Sequence, residues 1–180
     1  MKKLMYLVIV FMCFLASDVS ATNRIELKEV NLIFSLSDDW KQNSVPPKID
    51  AKDPPLLAWK RKSITGQNGH SVSAGLNIIV SNIQSDANVM LVSHSLMTRR
   101  GWPFKQFLTA EKDGLVMPNT VGYFTEYKPR NDILLKVFVI HTITNDKFVE
   151  VILSATDDIF TQVEPEFKAI IQSIRLMQKQ

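Results

Sequence analysis

Apolar and polar side chains alternate at Ile25 and Leu27 and again at Leu32, Phe34 and Leu36, the period-two pattern of half-buried strands. Strands are therefore predicted over 25–30 and 31–37, the second ending at Asp38-Asp39-Trp40. From Lys41 to Pro55 the chain turns polar and carries Pro46-Pro47 and Pro54-Pro55. Proline has no N–H to give a sheet ladder, so this stretch reads as a long surface loop. Strand character returns over 56–62, with Leu57, Trp59 and Arg61 on one face. After a glycine-containing polar turn at 65–69, the stretch 71–83 holds a further strand centred on Leu76 to Val80.

The period then changes. Val89, Val92 and Leu96 recur at helical spacing with Met90 and Met97 beside them, which predicts a helix capped by Ser85 or Asp86 and running to about Arg100. Gly101 stops it, and Arg99 and Arg100 complement the helix dipole in the last turn. On this reading Ser93-His94-Ser95 lies on the solvent side. Phe104 to Lys112 suits either a strand or a short helix, with Gly114 as the turn that follows. Strands over 121–128, 133–142 and 148–155 are separated by Pro129-Arg130-Asn131-Asp132 and by Asn145-Asp146, which predicts an antiparallel meander. Phe167, Ile170, Ile171 and Ile174 mark a closing helix, with Pro165 in its first turn and Asp157-Asp158 capping its start. Runs of strands with one helix inserted and one at the end give the α+β class, an antiparallel sheet covered by helices.

The N-terminus carries a different pattern. Lys2 and Lys3 precede an unbroken apolar run from Leu4 to Ala16, and Val19-Ser20-Ala21 supplies small residues at −3 and −1 of a cleavage point. Residues 1–21 read as a secretory signal peptide, since the run is shorter than the roughly 20 residues of a membrane span. A single domain over 22–180 is expected, with no second apolar stretch to hold it in a bilayer. The chain's one cysteine, Cys13, falls in the signal, which excludes a disulfide framework, a thiolate metal site and a cysteine nucleophile from the rest. Periplasmic localisation is expected, with secretion as the second choice. Removing Lys2, Lys3 and Asp18 from 21 basic and 18 acidic residues leaves 19 and 17, a formal charge of +2 spread along the chain. That balance gives no reason to expect a nucleic-acid partner.

Candidate chemistry is sparse. His70, His94 and His141 fall on a predicted loop, helix and strand without the local spacing of metal ligands, so no metal and no cofactor are expected. Ser93-His94 cannot pair as nucleophile and base, because adjacent helical residues point about 100° apart, and no Gly-x-Ser-x-Gly elbow is present. Asp38-Asp39 and Asp157-Asp158 lack the ligand pattern and turn glycine of a calcium loop. Arg99-Arg100-Gly101-Trp102-Pro103-Phe104 sets two cations beside two aromatics, a composition suited to an interface centre, and Arg99, Arg100, Trp102 and Phe104 are the candidate partner-binding residues. The alternative for Trp102 and Phe104 is to plug the core where the helix stops. The proline loop over 45–55 is a second candidate contact surface.

The order of elements, with Phe34-Ser35-Leu36-Ser37-Asp38-Asp39-Trp40 early and Lys147 to Ala155, Phe167 and Ile171-Gln172-Ser173-Ile174-Arg175 late, resembles the Mog1/PsbP-like family. There an early strand leads through a turn into a tryptophan, and a last strand and closing helix end in a similar Ser-hydrophobic-Arg sequence. Asp38-Asp39 departs from the glycine or proline that often precedes the tryptophan, and no ligand cluster matches the metal-binding role proposed for photosystem members. The resemblance spans nearly all of 22–180 and implies an α/β/α sandwich. Its members, a nuclear-transport factor for a small GTPase, photosystem proteins and bacterial envelope proteins, share binding to another protein. The implied function is a non-catalytic, exported protein-binding module of the bacterial envelope that assists assembly or stability of an envelope component. The alternative is a periplasmic module for a small apolar molecule or lipid, lined by Met90 and Met97. A third class, a hydrolase assembled in space around His94 or His141, requires one of them within hydrogen-bond reach of a nucleophile and a carboxylate in a concave site.

Overall fold

A computed structural model describes residues 22–43, 57–84, 86–130 and 133–177. The expectations for the signal at 1–21, the proline loop at 45–55, the Ser85 cap and the Asn131-Asp132 turn lie outside the described residues. In chain order the elements are β1 (Thr22–Leu27), a 3-10 turn (Lys28–Val30), β2 (Leu32–Ser37), β3 (Trp40–Gln42), β4 (Leu57–Arg61), β5 (Ile64–Thr65), β6 (Ser71–Val72) and β7 (Gly75–Asn82). Then follow α1 (Val89–Arg100), β8 (Phe104–Leu108), the single-turn α2 (Ala110–Asp113), β9 (Thr120–Arg130), β10 (Ile133–Thr144), β11 (Lys147–Thr156), α3 (Asp157–Ser173) and β12 (Arg175–Leu176).

A seven-stranded antiparallel sheet, in the order β3-β4-β7-β11-β10-β9-β8, forms the centre. Its register follows from one turn. Asn145 and Asp146 both take positive φ, 49° and 56°, the backbone of a two-residue hairpin whose twist matches the strands. Thr144 therefore pairs with Lys147, and the strands zip outward to Leu135 opposite Thr156. Alternation then assigns the faces. Phe138, Ile140, Val149, Val151 and Leu153 turn to one side and pack with α3 and β2, whereas Val137, Val139 and Ile152 turn to the other and pack with Met97 of α1. With helices on both faces the architecture is the expected α/β/α sandwich.

The α3 face holds the larger core. Ile159, Phe160, Val163, Phe167, Ile170 and Ile171 are all buried along α3, the wide apolar stripe that burial of a helix requires. A second sheet, β1-β2-β12, closes over it, and Ser173 ties the two by accepting from the Ser35 N–H at 3.0 Å. Near the other edge Glu166 of α3 accepts from Ser37 Oγ (2.5 Å), Trp40 Nε1 (2.8 Å) and Arg61 Nε (2.6 Å). Burial alone would raise the Glu166 carboxyl, but these three donors, Arg61 first, hold it below its ordinary value. The tryptophan of the early motif is thus a clamp between α3 and the sheet edge.

Several elements differ from the sequence reading. Strand β1 stops at Leu27, because Lys28–Val30 turns and Asn31 takes φ 51° to enter β2. Trp40 opens a short strand through Gln42 where a loop was predicted from Lys41. Phe104–Lys112 divides into β8 and most of α2, so both readings hold in part. The cap of α1 is Asn88, whose side chain accepts from Met90 N at 2.9 Å and Leu91 N at 3.3 Å. Helix α3 begins at Asp157, so Asp157 and Asp158 occupy its first turn and Pro165 lies inside it rather than at its start. Buried Ile159, Phe160 and Val163 extend the apolar stripe upstream of the proline.

Candidate functional site

The hairpin that sets the register also sets the site. Pairing outward from Thr144 and Lys147 brings His141 opposite Glu150, with both side chains on the α1 face. Val121 pairs with His141 from β9, and Tyr123 follows two residues on, facing the same way. From above, α1 lowers Ser93, Met97 and Arg100, spaced i, i+4 and i+7 on one helical side. Ser93 is buried, which corrects the expectation that Ser93-His94-Ser95 faces solvent. Val92 and Leu96, predicted to lead the core face, are only half-buried. The α1 sequence carries a polar stripe where its apolar stripe was sought, because the sheet beneath offers polar partners.

Those partners form one chain. Ser93 Oγ lies 2.7 Å from His141 Nδ1, and His141 Nε2 lies 2.6 Å from Glu150 Oε2. Arg100 donates to the same Glu150 oxygen at 2.5 Å. Tyr123 Oη stands 3.4 Å from His141 Nε2. The His141 and Glu150 side chains are 0% and 1% exposed. Burial would raise the Glu150 carboxyl, but the hydrogen bond and charge of His141, then those of Arg100, outweigh it and hold the group below its ordinary value. Tyr123 is pushed well up, by burial first and by the Glu150 charge second. Glu150 is therefore the anion of the network.

Two cavities flank α1. One, of about 610 Å³, is bordered by Ile79, Leu91, Leu96, Arg99, Arg100 and Glu150 among others. The other, of about 440 Å³, lies between α1 and the β8–β9 edge and is walled by Met90, Met97, Trp102, Phe104, Phe107 and Val121, with Ser93 and Tyr123 also bordering it. Both volumes fall within the range of about 300–1,000 Å³ usual for ligand pockets.

The four residues singled out from sequence are divided between them. Arg99 is exposed and borders the larger cavity, as does Arg100, whose guanidinium is committed to Glu150 and stands 5.1 Å over the Trp102 ring. Trp102 and Phe104 border the smaller cavity, Trp102 half-buried and stacked on Tyr127 at 4.7 Å. Phe104 is 50% exposed, so it does not plug the core. Met90 and Met97 line the smaller cavity as the ligand-binding alternative requires. Of the other histidines, His70 is exposed and His94 stands exposed beside that cavity. Among the described residues no group of three or more His, Cys, Asp or Glu is placed to hold a metal ion.

His141 has the serine and carboxylate that a hydrolase would need, an assembly that adjacent-residue reasoning missed. The setting is unlike an acyl-transfer site. Ser93 lies in the second turn of α1, where helical hydrogen bonding occupies the backbone N–H groups around it and leaves none to stabilise an oxyanion. The imidazole is also inverted, with Nδ1 rather than Nε2 toward the hydroxyl.

The fold and this buried network describe an α/β/α protein built around a polar seam. Structural comparison gives the class: the chain has the Mog1/PsbP-like fold. PsbP (CyanoP) of Synechocystis is 13% identical, with a TM-score of 0.54 over 89% of this chain and 95% of that one. The Ran-binding protein Mog1p of Saccharomyces cerevisiae is 8% identical, with a TM-score of 0.54 over 88% and 97%. LpqN of Mycobacterium tuberculosis, described as involved in cell envelope biogenesis, is 12% identical, with a TM-score of 0.56 over 88% and 91%. No family model and no curated protein sequence matches the chain.

Proposed function

We propose that this chain is a non-catalytic binding module of the bacterial envelope, exported to the periplasm on loss of residues 1–21, which docks an envelope protein through its α1–β8 face. The observation that carries this reading is where large apolar side chains meet solvent. Of the five such side chains among the described residues, Met90, Leu91, Phe104 and Phe107, at 49%, 72%, 50% and 48% exposed, lie on α1 and β8, and only Val116 lies elsewhere. Among the described residues β8 is moreover an edge strand with no neighbour on its outer side, a position open to pairing with another chain. The likeness to a Ran-binding protein and to a protein of envelope biogenesis supports the same reading. Among the described residues no helix is long and apolar enough to cross a membrane.

Crosslinking in cells with a C-terminal tag is expected to capture one stoichiometric envelope protein, lost from a Phe104→Asp/Phe107→Asp variant that melts like the parent. Capture unchanged by that variant would refute the face, and an active-serine probe that labelled Ser93 would refute the non-catalytic role. A second reading, a module for a small apolar molecule, is favoured by the joint placement of Met90, Met97 and Trp102 around the smaller cavity.

A further inference from the structure

The two cavities beside α1 differ in charge. The larger is bordered by Arg99, Arg100 and Glu150, whereas no Asp, Glu, Lys or Arg borders the smaller. Among the smaller cavity's polar side chains, the Thr98 hydroxyl donates to the His94 carbonyl at 2.9 Å, and His94 itself is exposed. Two hydroxyl-bearing side chains, Ser93 and Tyr123, are 5% and 2% exposed and both reach His141 behind the wall. The cavity thus combines thioether and aromatic sides with two buried hydroxyl groups and no fixed charge.

We infer that this cavity binds a single uncharged amphiphile, an apolar chain or ring system bearing a hydroxyl head, which sets its head against Ser93 and Tyr123. This rests on the second reading above. A charged head would lose its hydration without meeting an opposite charge, which is unfavourable by far more than one hydrogen bond restores. A hydroxyl fits for a further reason. Glu150 is an acceptor only, so His141 gives its Nε2–H to the carboxylate. With the imidazole neutral, Nδ1 then accepts a hydrogen bond from the Ser93 hydroxyl, and Ser93 turns a lone pair to the cavity and calls for a donor. With the imidazole doubly protonated, Nδ1–H points at Ser93, whose own proton is released toward the cavity and calls for an acceptor. A ligand hydroxyl serves in both states. The groups facing this imidazole are Ser93 and Arg100 from α1, Glu150 from β11 and Tyr123 from β9.

The test uses three probes with one tail: decanol, decanoate and decylammonium, titrated into residues 22–180 below the solubility limit of decanol and the micellar concentrations of the two ions. Binding is read by Trp fluorescence, since Trp102 borders the cavity, and checked by native mass spectrometry. Decanol is expected to bind at least tenfold more tightly than either ion. Ser93→Ala is expected to weaken it three- to tenfold without altering the two ions. Should Ser93→Ala fail to fold, Phe104→Asp, at an exposed position bordering the cavity, is expected to weaken decanol and to spare decylammonium. Equal binding of all three probes would overturn the head-group inference and leave the apolar cavity standing. Binding of none would overturn the ligand reading itself.

Discussion

His141 and Glu150 face each other across the β10–β11 hairpin, Nε2 to Oε2 at 2.6 Å, with Arg100 of α1 closing on the same carboxylate oxygen. One anion is thus shared by two basic side chains from two layers of the sandwich. Removing one member of a buried pair leaves the others desolvated, which costs about 3–5 kcal/mol. Glu150→Ala is expected to lose about that much in urea unfolding, and Glu150→Gln less, because an amide oxygen still accepts. A Glu150→Ala loss below about 1 kcal/mol, the scale of an exposed pair, would show that the cluster does not hold α1 to the sheet.

Acid should loosen both ends of the molecule. Glu150 and Glu166 are held below their ordinary values in the folded chain, by His141 and Arg100 in one case and by Arg61, Ser37 and Trp40 in the other, in each case against burial. A carboxyl depressed on folding adds stability that is complete above its unfolded value, about 4.3 for glutamate, and lost as pH falls through the folded value. The urea midpoint is therefore expected to hold near neutrality and to decline as pH drops below about 4.3. Glu166→Gln should be less stable at pH 7 and show a shallower decline. A decline parallel to the parent's would mean that Glu166 contributes nothing to it.

Pro165 lies inside α3 at a position where an N–H would otherwise reach the Thr161 carbonyl. Proline in a helix interior costs about 3 kcal/mol relative to alanine. Pro165→Ala is expected to raise stability by about 1–3 kcal/mol, measured by thermal melting. A loss instead would indicate that the fixed backbone of proline at this point is needed to seat Phe167.

The two faces should answer aromatic deletion very differently. Phe167 is 0% exposed and meets the rings of Trp40, Phe138 and Phe160. Phe167→Ala is expected to cost about 3–5 kcal/mol, whereas Phe107→Ala, at 48% exposure, should change stability by no more than about 0.5 kcal/mol. A large loss at Phe107 would place it in the core rather than on a recognition face.

The strands were legible because each is short-range in its logic: Leu32, Phe34 and Leu36 alternate, and Asn145-Asp146 is a turn by its own chemistry. The same turn carried more than was drawn from it. Counting three steps outward from a two-residue loop sets His141 against Glu150, a buried pair available from sequence alone. The approach of Ser93 and Arg100 was not available. It depends on how α1 is rotated over the sheet, and a helix that is weakly amphipathic does not announce which side faces inward. The start of α3 is obscured in the sequence because Pro165 marks a helix start by propensity, whereas burial of Ile159, Phe160 and Val163 extends the helix upstream of it.

The two helices are fastened to the sheet by different means. Six buried residues, all apolar, anchor α3, while the buried residues of α1 are Met97 and Ser93 alone, supplemented by the Arg100 ion pair. Apolar burial resists local opening in proportion to its area, whereas a polar clasp releases once water reaches it. Amide protons of α1 should therefore exchange through a partial opening that leaves β10, β11 and α3 protected. Since α1 borders both cavities, lifting it would open them to each other above the strands that carry His141 and Glu150. Helix α1 is a strap, latched by a serine and an arginine, over the face proposed above to receive a partner or ligand.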